Sequence, residues 1–369
     1  MAANKNNKAL NVPHLRFPEF TGEWNFEPLD TIAPNITSGK SKPAVGQYDL
    51  YGSTGIIGKT STADYSGDML LVARVGANAG TLQLVNGICG ITDNTLIIKP
   101  RKLSSRYLHF YLQHYNLNRL IFGSGQPLIT AGMLKKVHIP FGKPLEQYKI
   151  EILLNLIDER IAAQNKIIEK LETLIKGIVD LSYDNSATTK KLGNVIAQIS
   201  QRNKSGKEMV VLSVNNKQGF IEQSEQFEER IIASDDTSNY KMVCINDFAY
   251  NPARINVGSI ARLKDKECGI VSPMYICFRT LGNMLPEYLE LFFKTKRFAL
   301  DVDKRLEGSV RLCLSYEGLC EIAIPIIAIE KQKTLVEKIA SLYSKLDIEK
   351  KFLRNYKMQK QYLLSQMFI

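Results

Sequence analysis

The sequence of 369 residues lacks the motifs by which the common catalytic and metal sites are recognised. Its most apolar stretch, Ile322 to Ile329, is eight residues, against the roughly 20 that a membrane-spanning helix takes. The opening MAANKNNKAL has no apolar signal core, so the chain is expected in the cytosol. Six cysteines include no CxxC, which removes a zinc ribbon and a redox pair. Cys89 stands alone in the first half, and Cys244, Cys268, Cys277, Cys313 and Cys320 lie in the second; all are expected as reduced packing residues. The histidines, His14, His109, His114 and His138, have no HExxH or other ligand spacing, and no metal site is expected.

The motifs of DNA-processing enzymes are missing too. Gly58-Lys59-Thr60 ends like a nucleotide-binding P-loop, but position 53, where its first glycine belongs, is Ser53. Asn251-Pro252-Ala253-Arg254 begins like the base-gripping motif of an adenine methyltransferase and departs at both remaining positions, which leaves a turn carrying an arginine. No glycine fingerprint for a methyl donor, no GxSxG and no metallonuclease cluster is present. No catalytic residue is assigned.

What is present is repetition. Gly123-Ser124, Leu134, Ile139-Pro140 and Gln147 recur 185 residues later as Gly308-Ser309, Leu319, Ile324-Pro325 and Gln332. Leu154, Ile157, Ile161, Gln164, Ile168, Leu171, Ile175 and Ile178 alternate steps of three and four, the seam of a coiled coil. The same offset leads to Ile339, Leu342, Leu346, Glu349, Leu353, Tyr356, Lys360 and Leu363, with a polar residue on the same rung, Gln164 and Glu349. Ser105-Arg106-Tyr107-Leu108 parallels Pro286-Glu287-Tyr288-Leu289, and Ala73-Arg74-Val75 parallels Ala253-Arg254-Ile255.

Residues 68–75, 95–99, 210–214, 242–245 and 274–278 read as short strands. Residues 107–122 and 287–300 read as helices, and the polar run 182–189 as a linker. The expected domains are 1–145, a spacer helix 146–185, a second domain 186–329 and a C-terminal helix 330–369.

The net charge of +11 is uneven: +7 in 1–145, −3 in 146–185, +2 in 186–329 and +5 in 330–369. Opposite charges on two seams of equal length favour their pairing with each other over separate docking on each domain. A basic surplus suits a polyanionic partner. Arg and Lys read guanine, Asn and Gln read adenine, and loop Lys, Arg, Ser and Thr hold phosphates. Candidates in the first half are Lys40, Lys42, Lys59, Thr60, Arg74, Asn78, Ser124 and Gln126. Those in the second are Arg202, Asn203, Lys204, Asn215, Lys217, Gln218, Arg254, Asn256, Ser309 and Arg311. Arg74 with Arg254, and Ser124 with Ser309, stand at matched points of the repeat.

These residues resemble a known family. The opening Val12-Pro13-His14-Leu15-Arg16-Phe17-Pro18-Glu19-Phe20, the phrase Asn251-Pro252-Ala253-Arg254-Ile255-Asn256-Val257-Gly258 and the doubled Ile-Pro, Gln, long-helix module are similar to the specificity (S) subunit of a Type I restriction–modification enzyme. The resemblance implies an α+β chain with two tandem mixed α/β target-recognition domains, each followed by a long helix. It implies that the two helices pair as an antiparallel coiled coil about a pseudo-twofold axis. It further implies a non-catalytic reader of bipartite double-stranded DNA in the bacterial cytosol, at the nucleoid. The implied partners are two adenine-N6 methyltransferase subunits and restriction-translocase subunits, which would carry S-adenosylmethionine, ATP and Mg. Alternatives are a subunit or fused protein of another restriction–methylation system, such as a Type IIB-like one, and a coiled-coil adaptor without DNA reading. The stretch from Leu154 to Ser182 is 29 residues, about 43 Å as helix, slightly more than one DNA turn.

Overall fold

A computed structural model describes residues 11–121, 125–184, 188–204, 209–216, 218–223, 237–308 and 311–369. It divides into two compact units, 1–165 with 351–369, and 166–350.

The first unit begins with a strap, residues 11–24, whose Leu15 N–H donates to the Gln366 carbonyl at 2.8 Å. Its strands are β1 (Asn25–Pro28), β2 (Thr37–Ser38), β3 (Tyr48–Gly52), β4 (Gly55–Thr60), β5 (Tyr65–Ala73), β6 (Leu82–Ile91), β7 (Thr95–Ile98) and β8 (His138–Phe141). Its helices are α1 (Leu29–Ile32), α2 (Ser105–Tyr115), α3 (Ala131–Lys135) and the start of α4 (Pro144–Asp184). Six strands form one sheet in the order β2-β7-β5-β6-β3-β4, and β1 pairs antiparallel with β8. One face of β5, with Leu70 and Val72, joins α2, Ile150, Leu154 and Ile157 of α4, and Leu363, Leu364, Met367 and Phe368 in a single apolar core.

The second unit holds β9 (Thr189–Lys191), β10 (Ile196–Ile199), β11 (Val211–Asn215), β12 (Gly219–Glu222), β13 (Lys241–Cys244), β14 (Phe248–Tyr250), β15 (Ile260–Arg262), β16 (Cys268–Val271) and β17 (Ile276–Thr280). After these come α5 (Pro286–Phe292), α6 (Lys296–Asp303), α7 (Tyr316–Cys320), β18 (Ala323–Pro325) and α8 (Ile329–Met367), which ends in the first unit. Two four-stranded sheets run β10-β17-β14-β15 and β12-β11-β16-β13, and β18 pairs with β9.

The repeat has physical counterparts. Tyr107 and Tyr288 are fully buried and donate their hydroxyls, each at 3.0 Å, to the carbonyls of Pro140 and Pro325. Buried Gln147 and Gln332 donate from Nε2, each at 2.9 Å, to the carbonyls of Gly142 and Ile327. The Leu29 and Leu192 N–H groups donate, each at 2.8 Å, to the Val137 and Ile322 carbonyls. Phe368 lies edge-on to Tyr107 at 5.5 Å, and Tyr183, 185 positions earlier in the chain, packs at a tilt on Tyr288 at 4.8 Å.

Within each unit the two long helices run antiparallel. In the first, Asp158 of α4 meets Lys360 of α8 at 2.6 Å. In the second, Glu172 meets Lys350 at 2.7 Å, and Ile175 and Val179 line a groove with Leu346 and Tyr343. Such exposed ion pairs are worth at most about 1 kcal/mol, so apolar burial carries the pairing. Leu154, Ile157, Gln164, Ile168, Ile175, Ile339, Leu346 and Leu363 are buried, and Ile161, Leu171, Leu342, Leu353 and Tyr356 are half-buried. The seam departs from expectation at its end, where Val179 and Tyr183 are buried and Ile178 only in part. Steps of four turn that end of α4 toward Tyr288 and Phe292.

Other expectations need correction. Residues 107–122 are not one helix, because Asn116 adopts a left-handed φ of 57° and ends α2. The expected helix 287–300 is two, because Thr295 caps α6 by accepting from the Phe298 N–H. Cys244 and Cys268 are not reduced packing residues. They stand opposite each other on β13 and β16 and form a disulfide. Cys89 and Cys277 are free and buried, and burial pushes the Cys277 thiol up to about 12. Among the described residues no helix is long and apolar enough to cross a membrane.

Replacing Phe368 with Ala should lower stability by about 3–5 kcal/mol, the range for deleting a buried aromatic ring. Urea unfolding measures the loss. Hydrogen exchange should place it in α2, which contacts the ring, although α2 lies more than 250 positions away in the chain.

Candidate nucleic-acid interface

The strap and α4 frame the first unit's base. Arg16 grips Glu146 through Nε at 2.6 Å and Nη2 at 2.9 Å, and the Trp24 indole N–H donates to the same carboxylate at 3.1 Å. Glu146 is fully buried in the first turn of α4, where the helix dipole favours a negative charge. A Cβ on Gly142 would lie 2.1 Å from Glu146 Oε2, so only glycine fits there. The hydrogen bond from Arg16 to Glu146 raises the arginine pKa still further. The opening phrase is therefore a clamp and not part of a reading surface.

In the same unit three loops meet. Gly76–Asn78 forms a 3-10 turn after β5, and Gly76 N–H donates to the Pro127 carbonyl at 3.0 Å. Ile129 N–H donates to the Arg74 carbonyl at 2.8 Å, and Arg74 N–H to the Asn94 carbonyl at 2.9 Å. This brings Arg74, Asn78 and Gln126 into one region. Asn78, Asn94 and Gln126 are exposed and Arg74 is half-buried. Asn94 is absent from the sequence candidates; its only signal is the polar turn Thr92-Asp93-Asn94 between two strands.

The second unit repeats the arrangement with different residues. Ile255–Val257 is the matching 3-10 turn, followed by Gly258 at φ 88°, as Gly80 at φ 89° follows the first. Leu314 N–H donates to the Pro252 carbonyl at 3.1 Å. The Ser259 hydroxyl donates to the Val214 carbonyl at 3.2 Å, and a Cβ on Gly258 would lie 3.8 Å from Asn216, so the β11–β12 hairpin joins the group. Asn251 Oδ1 accepts from the Ala253 N–H at 3.1 Å, which makes Asn251-Pro252-Ala253-Arg254 the expected turn.

The matched arginines are offset. Arg254 immediately precedes its 3-10 turn, whereas Arg74 stands two residues before its own. The strapping carbonyl is that of Arg74 in one unit and of Pro252 in the other. Arg254 is exposed.

Several candidates are not available to a ligand. Thr60 and Asn203 are 2% and 1% exposed, their side chains turned inward by the β4 strand and by the Asn203 N–H bond to the Tyr240 carbonyl. Asn215 is tied to its hairpin, accepting from the Gln218 N–H at 3.2 Å. Lys59 lies in the antiparallel strand β4, paired with Asp49 at 2.7 Å, so the P-loop-like ending is not a loop. Arg202 is exposed and donates to Asn239 Oδ1 at 3.0 Å. Lys40, Lys42, Lys204, Gln218, Asn256 and Arg311 are exposed. Ser124, Lys217 and Ser309 lie outside the described residues.

Charge in the second unit is largely neutralised within it. Arg262 meets Glu287 at 2.6 Å and Glu290 at 3.0 Å, Lys264 meets Glu290 at 2.6 Å, and Arg279 meets Asp247 at 3.1 Å. Burial pushes the Glu290 carboxyl up, but Lys264, Lys294 and Arg262 outweigh it and hold it low. Among the described residues no group of acids, histidines and cysteines could hold a metal ion.

His109 is a packing group on α2. Its Nε2 meets Gln113 at 2.7 Å and its Nδ1 has no partner among the described residues. Burial, with Lys360 adding to it, lowers its pKa to about 4. Unfolded, the ring titrates near 6.5, so below that pH the unfolded chain binds the extra proton. Stability should therefore fall as pH drops from about 6.5 to about 4, by about 3 kcal/mol in full. His109→Gln should remove this part of the slope, as read from urea unfolding of both proteins across that range.

Comparison with known proteins agrees with this architecture. Residues 29–173 match the family model of the Type I restriction modification DNA specificity domain. A Type I restriction enzyme EcoprrI specificity subunit from Escherichia coli is 24% identical over 165 residues, 44% of this chain, and the match spans 37% of that relative's length. A crystal structure of the S subunit of a Type I restriction–modification system from M. genitalium superposes with a TM-score of 0.62 at 17% identity, covering 97% of this chain and 99% of that one. A chain from a structure on complex assembly and conformational transition of the type I R-M system gives 0.56 at 14% identity, covering 96% and 99%. The chain thus has the fold of the S subunits it superposes on, and residues 29–173 match the Type I restriction modification DNA specificity domain.

Proposed function

We propose that this chain is the non-catalytic specificity subunit of a Type I restriction–modification complex and reads a bipartite DNA site in the bacterial cytosol. The observation that carries this is the doubling of one module. Tyr107 and Tyr288 anchor to equivalent proline carbonyls, and each module presents a 3-10 turn flanked by an arginine. Two copies of one module suit two half-sites on a duplex. Arg254 and Arg311 are exposed and Arg74 is half-buried with no acceptor for its Nε among the described residues, so all three suit contact with DNA.

On this reading the paired helices set the gap between half-sites. The chain positions two adenine-N6 methyltransferase subunits and the restriction-translocase subunits, and S-adenosylmethionine, ATP and Mg belong to those partners. Lys40, Lys42 and Lys204 would hold phosphates, giving binding that weakens steeply with salt.

The test is an exchange of residues 186–329 for those of a relative with a different target, followed by mapping of methylated adenines. One half-site should change while the other half-site and the gap stay the same. Methylation that changes at both half-sites, or at neither, would refute the proposal. Methylation by the chain alone would point to a fused enzyme instead.

A further inference from the structure

In the first unit Arg74 is held by its backbone, and its Nε has no acceptor among the described residues. Arg74 directly follows β5, with its N–H bonded to the Asn94 carbonyl at 2.9 Å and its carbonyl bonded to the Ile129 N–H at 2.8 Å. Two residues on, Gly76 N–H bonds the Pro127 carbonyl at 3.0 Å. The backbone is therefore fixed from both sides, by the β6–β7 turn and by the segment after Gln126.

The side chain is in a different position. Its Nε is buried and has no acceptor among the described residues. Most arginines nearby in the chain are engaged: Arg16 with Glu146, Arg106 with Asn155, and Arg119 over the Tyr115 ring. A buried donor without an acceptor costs free energy until one arrives.

The register names a neighbour. Val72 pairs with Leu96 and Ala73 with Thr95, and one step past the strands the bond from the Arg74 N–H to the Asn94 carbonyl continues that register, which sets Asn94 opposite Arg74 beyond Val72 and Leu96. Val72 and Leu96 belong to the apolar core of the unit. Arg74 and Asn94 therefore mark the rim where that core meets solvent, with Asn94 exposed. A flexible lysine suffices to hold a phosphate, whereas a planar guanidinium carried on a fixed backbone suits the two acceptors of a guanine edge. An asparagine beside it suits the donor and acceptor of adenine.

We propose that Arg74 reads a guanine of the half-site bound by the first unit and that Asn94 reads the adjoining adenine. This rests on the reading of the chain as a DNA specificity subunit and adds which residues discriminate bases and which bases they select.

The experiment uses the full chain assembled with its methyltransferase subunits, carrying Arg74→Ala, Arg74→Lys or Asn94→Ala. Methylation is measured on duplexes in which each position of the recognised sequence is varied singly, at several salt concentrations. Both Arg74 variants should lose discrimination at one guanine of one half-site by about 5- to 150-fold, the range for a bidentate base contact. Asn94→Ala should lose it at the neighbouring adenine. The other half-site should be read as before, which also shows that the variants fold. Uniform weakening at every sequence with a shallower salt dependence would make Arg74 a phosphate contact and overturn the proposal, as would unchanged discrimination. A wild-type complex with no bipartite preference would overturn the reading beneath it instead.

Discussion

A phenol stripped of water must give its O–H to an acceptor, and in each unit the acceptor at hand is a proline carbonyl. Tyr107 and Tyr288 sit at zero exposure and meet Pro140 and Pro325 in the short strand that leads into a long helix. Burial holds both hydroxyls protonated far above the usual tyrosine range. The other face of each ring is covered by an aromatic from the end of the second long helix in that unit, Phe368 or Tyr183. One side chain thus joins the sheet-bearing module, the root of one helix and the tip of the other. The pairing of the helices and the cores of the modules are a single set of contacts in each unit.

The near-neutral charge of the second half takes on a physical meaning here. Its cations are met by its own acids, with Arg262, Lys264, Lys266 and Arg279 all paired. The Arg262 and Lys264 pairs tie one sheet to α5, while Arg254 and Arg311 remain on the surface. In the first half the surplus is different in kind, because residues 101–145 hold seven basic residues and no acid. Net charge measures the sum of bracing and display, and only the positions separate them.

The parts of the fold legible in the sequence are those where one residue type has one physical use. The Ile-Pro and Gln repeats mark a strand end and a helix root, and they recur with the same bonds. The seam of α4 is legible because steps of three and four have no reading other than a helix face. The turn at Asn251 follows from its Asx geometry. What escaped depends on non-local register. Cys244 and Cys268 are 24 positions apart, and only the pairing of β13 with β16 makes them neighbours. Thr60 and Asn203 have the composition of DNA ligands, but the β4 strand turns Thr60 inward and the Asn203 N–H bond to the Tyr240 carbonyl holds Asn203 in the interior. Arg74 and Arg254 align by identity and differ in position, because the Asn251 turn shifts the chain by one to two residues before the 3-10 turn. Asn94 carries no signal in its own right, and its interest comes from the strand opposite.

The division of the long helices between the units has a consequence for the order in which the protein can be completed. Residues 351–369 supply Leu363, Leu364, Met367 and Phe368 to the core that also contains Trp24, Leu29 and Tyr107. A chain made from its N-terminus releases the first module early, yet that module's core stays open on one side until Leu363 to Phe368 are synthesised. The second module has no such wait for the aromatic that covers Tyr288, because Tyr183 precedes it in the chain. The half that is translated first is therefore the half that is finished last.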